Sequence, residues 1–151
     1  VEAGMSELKL EREIKKLKNP ENIKEALYAS GPAVLMRAFE LDPTVKVLIR
    51  SGSKVVRLIA SEIKKNGFRL HPISLSCFTY ILQMISPDIA ATTVRPLFIK
   101  AMKKPDPFFV YFAAHILRQD MKLPTVTKDP EYTFGELQET LAWVERLKRT
   151  E

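Results

Sequence analysis

A chain of 151 residues with 46% hydrophobic content lies in the size range of one domain and buries roughly two thirds of its unfolded surface without covalent staples. The lone cysteine, Cys77, excludes an intrachain disulfide, and 24 Lys and Arg against 18 Asp and Glu leave a formal net charge of +6, which favours anionic partners and nucleic acid first. No apolar run reaches the ~18 residues of a membrane span, and Val1 to Met5 lack the basic start and apolar stretch of a secretory leader, so a cytoplasmic chain without membrane contact is expected.

The ten prolines are not scattered. Asn19-Pro20, Gly31-Pro32, Asp42-Pro43, His71-Pro72, Ser86-Pro87 and Asp106-Pro107 each set proline where its missing N–H has no intrahelical partner, after a residue able to turn or cap the chain. In chain order, Leu10, Ile14 and Leu17 mark a helix over 6–18. Ile23, Ala26 and Leu27 mark a second over 20–30, and Leu35, Ala38 and Phe39 a third over 32–41. Helices over 43–51 and 53–66 follow, the latter carrying Val56, Ile59 and Ile63, with Ser51-Gly52-Ser53 read as the break between them. The next are 72–86 and 87–104, and Pro96 is expected to kink or divide the second because it removes a backbone bond and crowds the preceding turn. Phe109, Phe112, Ala113 and Ile116 give a helix over 107–120. An irregular link over 121–132, with Pro124 and Pro130, then leads to a last helix over 133–149. That helix opens on a Thr133 to Glu136 capping box and continues through Leu137, Leu141, Val144 and Leu147. No long stretch alternates with period two. The expectation is an all-α, single-domain multi-helix bundle spanning 1–151.

The residues offer little site chemistry. His71 and His115 lack a second ligand at helical metal-site spacing, so no metal is expected; His71 sits where a cap belongs, and both are read as structural. No phosphate-cradling glycine loop and no nucleophile elbow occurs, and Cys77 lies in the apolar run Ser76 to Ile81, where a thiol acts as a small hydrophobe. Glu11 with Glu13, and Glu136 with Glu139, belong to charged helix faces. The expectation is a non-enzyme without cofactor; an enzyme of unfamiliar helical type is the outlying case.

One basic constellation stands out. On the helix over 53–66, Lys54, Arg57, Ser61, Lys64 and Lys65 fall within an arc of about 100°, opposite Val56, Ile59 and Ile63, with Arg50 and Arg69 flanking. The stripe suits phosphate contacts. It equally suits plain solvation, since Lys64 and Lys65 also complement the helix dipole, as Lys103 and Lys104 would at the end of their helix. Aromatics do not interleave with it, so no base-stacking platform is evident; among Phe108, Phe109, Tyr111 and Phe112, Tyr111 is the one expected at a surface.

Two resemblances follow from motifs. Pro32 to Asp42-Pro43 and Pro96 to Asp106-Pro107 share a proline, ten residues, then Asp-Pro, and Val56-Arg57-x-x-Ala60-x-x-Ile63 before Gly67 resembles the second helix of a HEAT repeat. The order of a glycine-headed helix from Gly52 to Lys65, an aromatic helix ending in Leu117-Arg118, and a terminal helix with Leu141-Ala142-Trp143-Val144-Glu145-Arg146 resembles the small helical subunits of multi-subunit CRISPR effector complexes, a class tied to antiviral defence. That second resemblance implies a non-catalytic subunit present in several copies, contacting other protein subunits and the backbone of nucleic acid, RNA or DNA, and it implicates Arg50, Lys54, Arg57, Lys64, Lys65, Arg118 and Arg146. The first implies a HEAT-like protein-interaction scaffold with incidental basicity.

Overall fold

The computed structural model describes residues 6–23, Ala26 and residues 32–103, and among these it is an all-α multi-helix bundle with no strand. The expected helices over 107–120 and 133–149, the link over 121–132, and with them His115, Arg118, Arg146 and the Phe108 to Phe112 cluster, lie outside the described residues.

Helix α1, Glu7–Leu17, starts where the Ser6 side chain accepts from the Lys9 N–H at 3.1 Å. Glu7 in its first turn and Lys15 and Lys16 in its last complement the helix dipole, while Leu10, Ile14 and Leu17 bury one face. Next comes a short 3-10 turn, Pro20–Asn22, so the helix expected over 20–30 does not start at Pro20; its positions 24, 25 and 27–30 lie outside the described residues. Asn19 Oδ1 accepts from the Glu21 N–H at 3.1 Å, and the Asn22 side chain donates to the Lys16 carbonyl at 2.9 Å. Asparagines offering the backbone such local alternatives disfavour helix, and Ile23 leaves the turn in extended conformation, buried in the core.

Helix α2, Pro32–Leu41, buries Leu35 and Phe39. Helix α3, Pro43–Ser51, is capped by Asp42, whose Oδ1 accepts from Thr44 and Val45 N–H at 2.9 and 3.1 Å. The break before helix α4, Ser53–Asn66, is real: Gly52 adopts φ 70° and ψ −137°, a region open essentially to glycine alone. A second left-handed glycine, Gly67 at φ 49°, ends α4 and starts the 3-10 turn Gly67–Arg69. Helix α5, Pro72–Ile85, uses His71 as its cap, with Nδ1 accepting from the Ile73 N–H at 3.1 Å.

Helix α6, Pro87–Lys103, continues through Pro96, so of the kink or division expected there, division does not occur. Pro96 is exposed, which puts the crowded turn on the solvent side. Fully buried Ala90, Ala91 and Val94 meanwhile hold the first half of the helix on its neighbour.

That neighbour is α5, the centre of the bundle. Every residue from Ile73 to Gln83 is buried, as expected of a helix apolar on all sides, and α2, α3, α4 and α6 pack around it. Phe78 is fully buried, and the Tyr80 ring meets Phe39 of α2 at a centroid distance of 5.8 Å. None of the described helices is long and apolar enough to cross a membrane.

Candidate functional site

Helix α4 commits Val55, Val56, Ile59, Ala60 and Ile63 to the core, leaving Lys54, Arg57, Ser61, Lys64 and Lys65 exposed on the other side. Because α4 and α6 both lie on α5 and on each other, a groove runs between their outer edges. Its upper stretch, about 980 Å³, has Arg57, Ser61, Lys64 and Lys65 on the α4 side and Ile89 and Thr93 on the α6 side, with Ile85 and Ser86 from the α5–α6 junction. Its lower stretch, about 570 Å³, shares Lys64, Lys65 and Thr93 with the upper and adds Phe68, Arg69, Leu97 and Lys100. Three shared residues, Lys64, Lys65 and Thr93, set the two stretches side by side along α4 and α6.

The electrostatics of this groove are one-sided. Arg57, Lys64, Lys65, Arg69 and Lys100 line it, and among the described residues no Asp or Glu does. Among the described residues the ion pairs are Lys16–Glu13, Lys18–Glu62 and Arg37–Glu40, and none involves a groove cation. Glu62, the one acid on α4, is engaged by Lys18 and by the Asn66 amide. Arg69 donates to the Lys65 carbonyl in the last turn of α4, which satisfies a helix-end acceptor and fixes the guanidinium beside Lys65. Cations concentrated without counter-charges along a low-dielectric wall raise the local potential felt by an anion.

Four of the residues singled out from sequence, Arg57, Lys64, Lys65 and Arg69, therefore come together. Lys54 and Arg50 are exposed but lie outside the groove, in the first turn of α4 and the last turn of α3. Lys100 and Phe68 were not anticipated. Lys100 continues a run on α6, with Ile89, Thr93 and Leu97, at spacings of three and four residues. Phe68 does not interleave with the stripe along α4 but follows it, 42% exposed in the turn between Gly67 and Arg69, where it lines the lower groove.

Elsewhere the chemistry is sparse. Cys77 is fully buried, and burial, reinforced by the negative charge of Asp42, pushes its thiol well above the usual range; a protonated, inaccessible thiol is no nucleophile. Burial, with Glu40 and Cys77 adding, also raises the Tyr80 phenol. Among the described residues no group of three or more His, Cys, Asp and Glu could hold a metal ion. No protein-family model, curated protein or solved structure matches the chain.

Proposed function

We propose that the α4–α6 groove binds the phosphate backbone of nucleic acid and that the protein is a non-catalytic binding subunit of a nucleoprotein assembly. The observation that carries this is the convergence of Arg57, Lys64, Lys65, Arg69 and Lys100 on two adjoining stretches between α4 and α6, with no carboxylate among the described residues that line them. Contacts of this kind position a protein on nucleic acid without reading sequence. The resemblance to small subunits of CRISPR effector complexes points the same way and adds neighbouring protein subunits. Val34 and Leu41 support such neighbours: they stand two turns apart on α2, at 50% and 52% exposure, and offer an apolar pair outside the groove.

The test is anisotropy of labelled oligonucleotides at low and moderate salt, comparing wild type with a variant carrying Arg57, Lys64, Lys65 and Arg69 changed to Ala. Binding that ignores sequence, weakens steeply with salt through counterion release, and is lost in the variant is expected. Changing Arg50 and Lys54 to Ala should leave it nearly intact. A HEAT-like protein scaffold instead requires a wild type without salt-dependent nucleic-acid binding and a groove variant that keeps its protein partner.

A further inference from the structure

We infer that the acidic stretch 129–145 of this same chain docks on the basic surface between α4 and α6, and that nucleic acid must displace it to bind. The competition, though not the docking, rests on the phosphate-binding role proposed above. The stretch lies outside the described residues, and charge is what matches it to that surface. Asp129, Glu131, Glu136, Glu139 and Glu145 fall within it, and it holds no Lys or Arg. The surface is its converse. Arg57, Lys64, Lys65, Arg69 and Lys100 line the two stretches with no Asp or Glu among the described lining residues, and none of these cations takes part in the ion pairs of the described residues.

The apolar pattern matches as well. At about 100° per residue, Leu137, Leu141 and Val144 of the helix expected over 133–149 share an arc of about 60°, and Glu136 and Glu145 flank that arc on opposite sides. Between α4 and α6, Val56, Ala60, Ile85 and Ile89 line the upper stretch and Leu97 the lower, with Ile89 39% exposed. Cations border this apolar lining from both helices, Arg57, Lys64 and Lys65 from α4 and Lys100 from α6. An amphipathic helix that sets its apolar face into such a groove brings flanking glutamates to the bordering cations. The tether is ample. Helix α6 is described to Lys103, one turn beyond the groove residue Lys100, and the about 30 residues from there to Thr133 can span up to roughly 100 Å. Tethering makes the docking intramolecular, so a modest affinity suffices to keep the surface occupied.

The experiment uses the full chain. Carbodiimide coupling joins lysine amines to carboxylates in contact with them, and peptide mapping should find Lys64, Lys65 or Lys100 joined to Glu131, Glu136 or Glu145. Mixing isotope-labelled with unlabelled chains should show these links to lie within one chain, and a mixed-sequence oligonucleotide should suppress them. In the variant Glu131→Gln/Glu136→Gln/Glu145→Gln, glutamine still serves the capping box at position 136. Oligonucleotide affinity by anisotropy should rise roughly fivefold or more, since the uncovered fraction no longer limits binding. Glu7→Gln/Glu11→Gln/Glu21→Gln removes the same charge from exposed positions on α1 and the turn after it, and should raise affinity by less than about twofold because distant exposed charges are screened. Matching circular dichroism among the variants excludes unfolding as the cause. Absence of these links, links formed only between chains, links that persist beside bound oligonucleotide, or equal gains in the two variants would overturn the inference while leaving phosphate binding standing. Intrachain links in a protein that binds no oligonucleotide at any salt would uphold the docking and overturn both the competition and the phosphate-binding role.

Discussion

The hydroxyl of Ser74, fully buried on α5, donates to the carbonyl of Leu17 at the end of α1, 2.6 Å away and 57 positions earlier in the chain. A helix leaves its last carbonyls without intrahelical donors, and Leu17 is itself fully buried, so the Ser74 hydroxyl supplies the missing donor and ties the first helix to the central one.

Ser74→Ala should therefore cost about 1–3 kcal/mol, the penalty for stranding a buried polar group. Urea unfolding would show this as a lowered midpoint with an unchanged m-value. A change within about 0.5 kcal/mol would mean that the Leu17 carbonyl finds another donor.

Alkaline pH should destabilise the protein in a way that depends on Cys77. Its thiol is raised in the fold by burial and by Asp42, so above about pH 8.5, where an unperturbed thiol ionises, the unfolded chain sheds a proton that the folded chain keeps. Stability is then whole below that pH and falls above it, by up to about 1.4 kcal/mol per pH unit from this group. The raised Tyr80 phenol extends the decline beyond about pH 10. Unfolding midpoints from pH 7 to 10.5 should trace this fall, with Cys77→Ala flattening its first part whatever its effect at neutral pH. Native Cys77 should also resist thiol reagents until the chain unfolds; fast native-state modification would contradict its burial.

Gly67, at the end of α4, lies close to Leu97 of α6. A Cβ at this position would lie 3.3 Å from Leu97 Cδ2, on a backbone at φ 49°, whereas at Gly52, φ 70°, a Cβ meets nothing within 4 Å. Both alanine substitutions should carry the strain of a backbone region that side chains avoid, on the order of 1–3 kcal/mol, and Gly67→Ala should cost more through the crowding. A double-mutant cycle with Leu97→Ala isolates the excess. Equal costs at the two glycines would show that Leu97 yields freely.

Much of the fold was legible because its signals are local. Asp42, Asn19 and His71 before proline declare caps from the dipeptide alone, and the three-to-four spacing of Leu10, Ile14 and Leu17 gives a buried face directly. The helix expected over 20–30 does not start at Pro20, where the Asn22 amide reaches back to the Lys16 carbonyl, a contact that no periodicity encodes. The site was half legible. Arg57, Lys64 and Lys65 share an arc that can be counted along one helix. Lys100 belongs with them only because α6 lies beside α4 on α5, and Phe68 only because the Gly67 turn carries it to the same groove. Tertiary pairing supplied both.

The groove itself is tested most directly by salt titration of single-strand binding for three proteins. These are wild type, Lys64→Ala/Lys65→Ala, and Lys9→Ala/Lys46→Ala, which removes the same charge from exposed positions outside the groove. Each phosphate neutralised on a single strand contributes about 0.7 to the slope of log K against log salt. The groove variant should therefore lose about 1.4 from its slope, together with most of its affinity, while the control keeps the wild-type slope. Identical slopes and affinities for the two variants would show that net charge alone, and not the α4–α6 groove, draws the protein to nucleic acid.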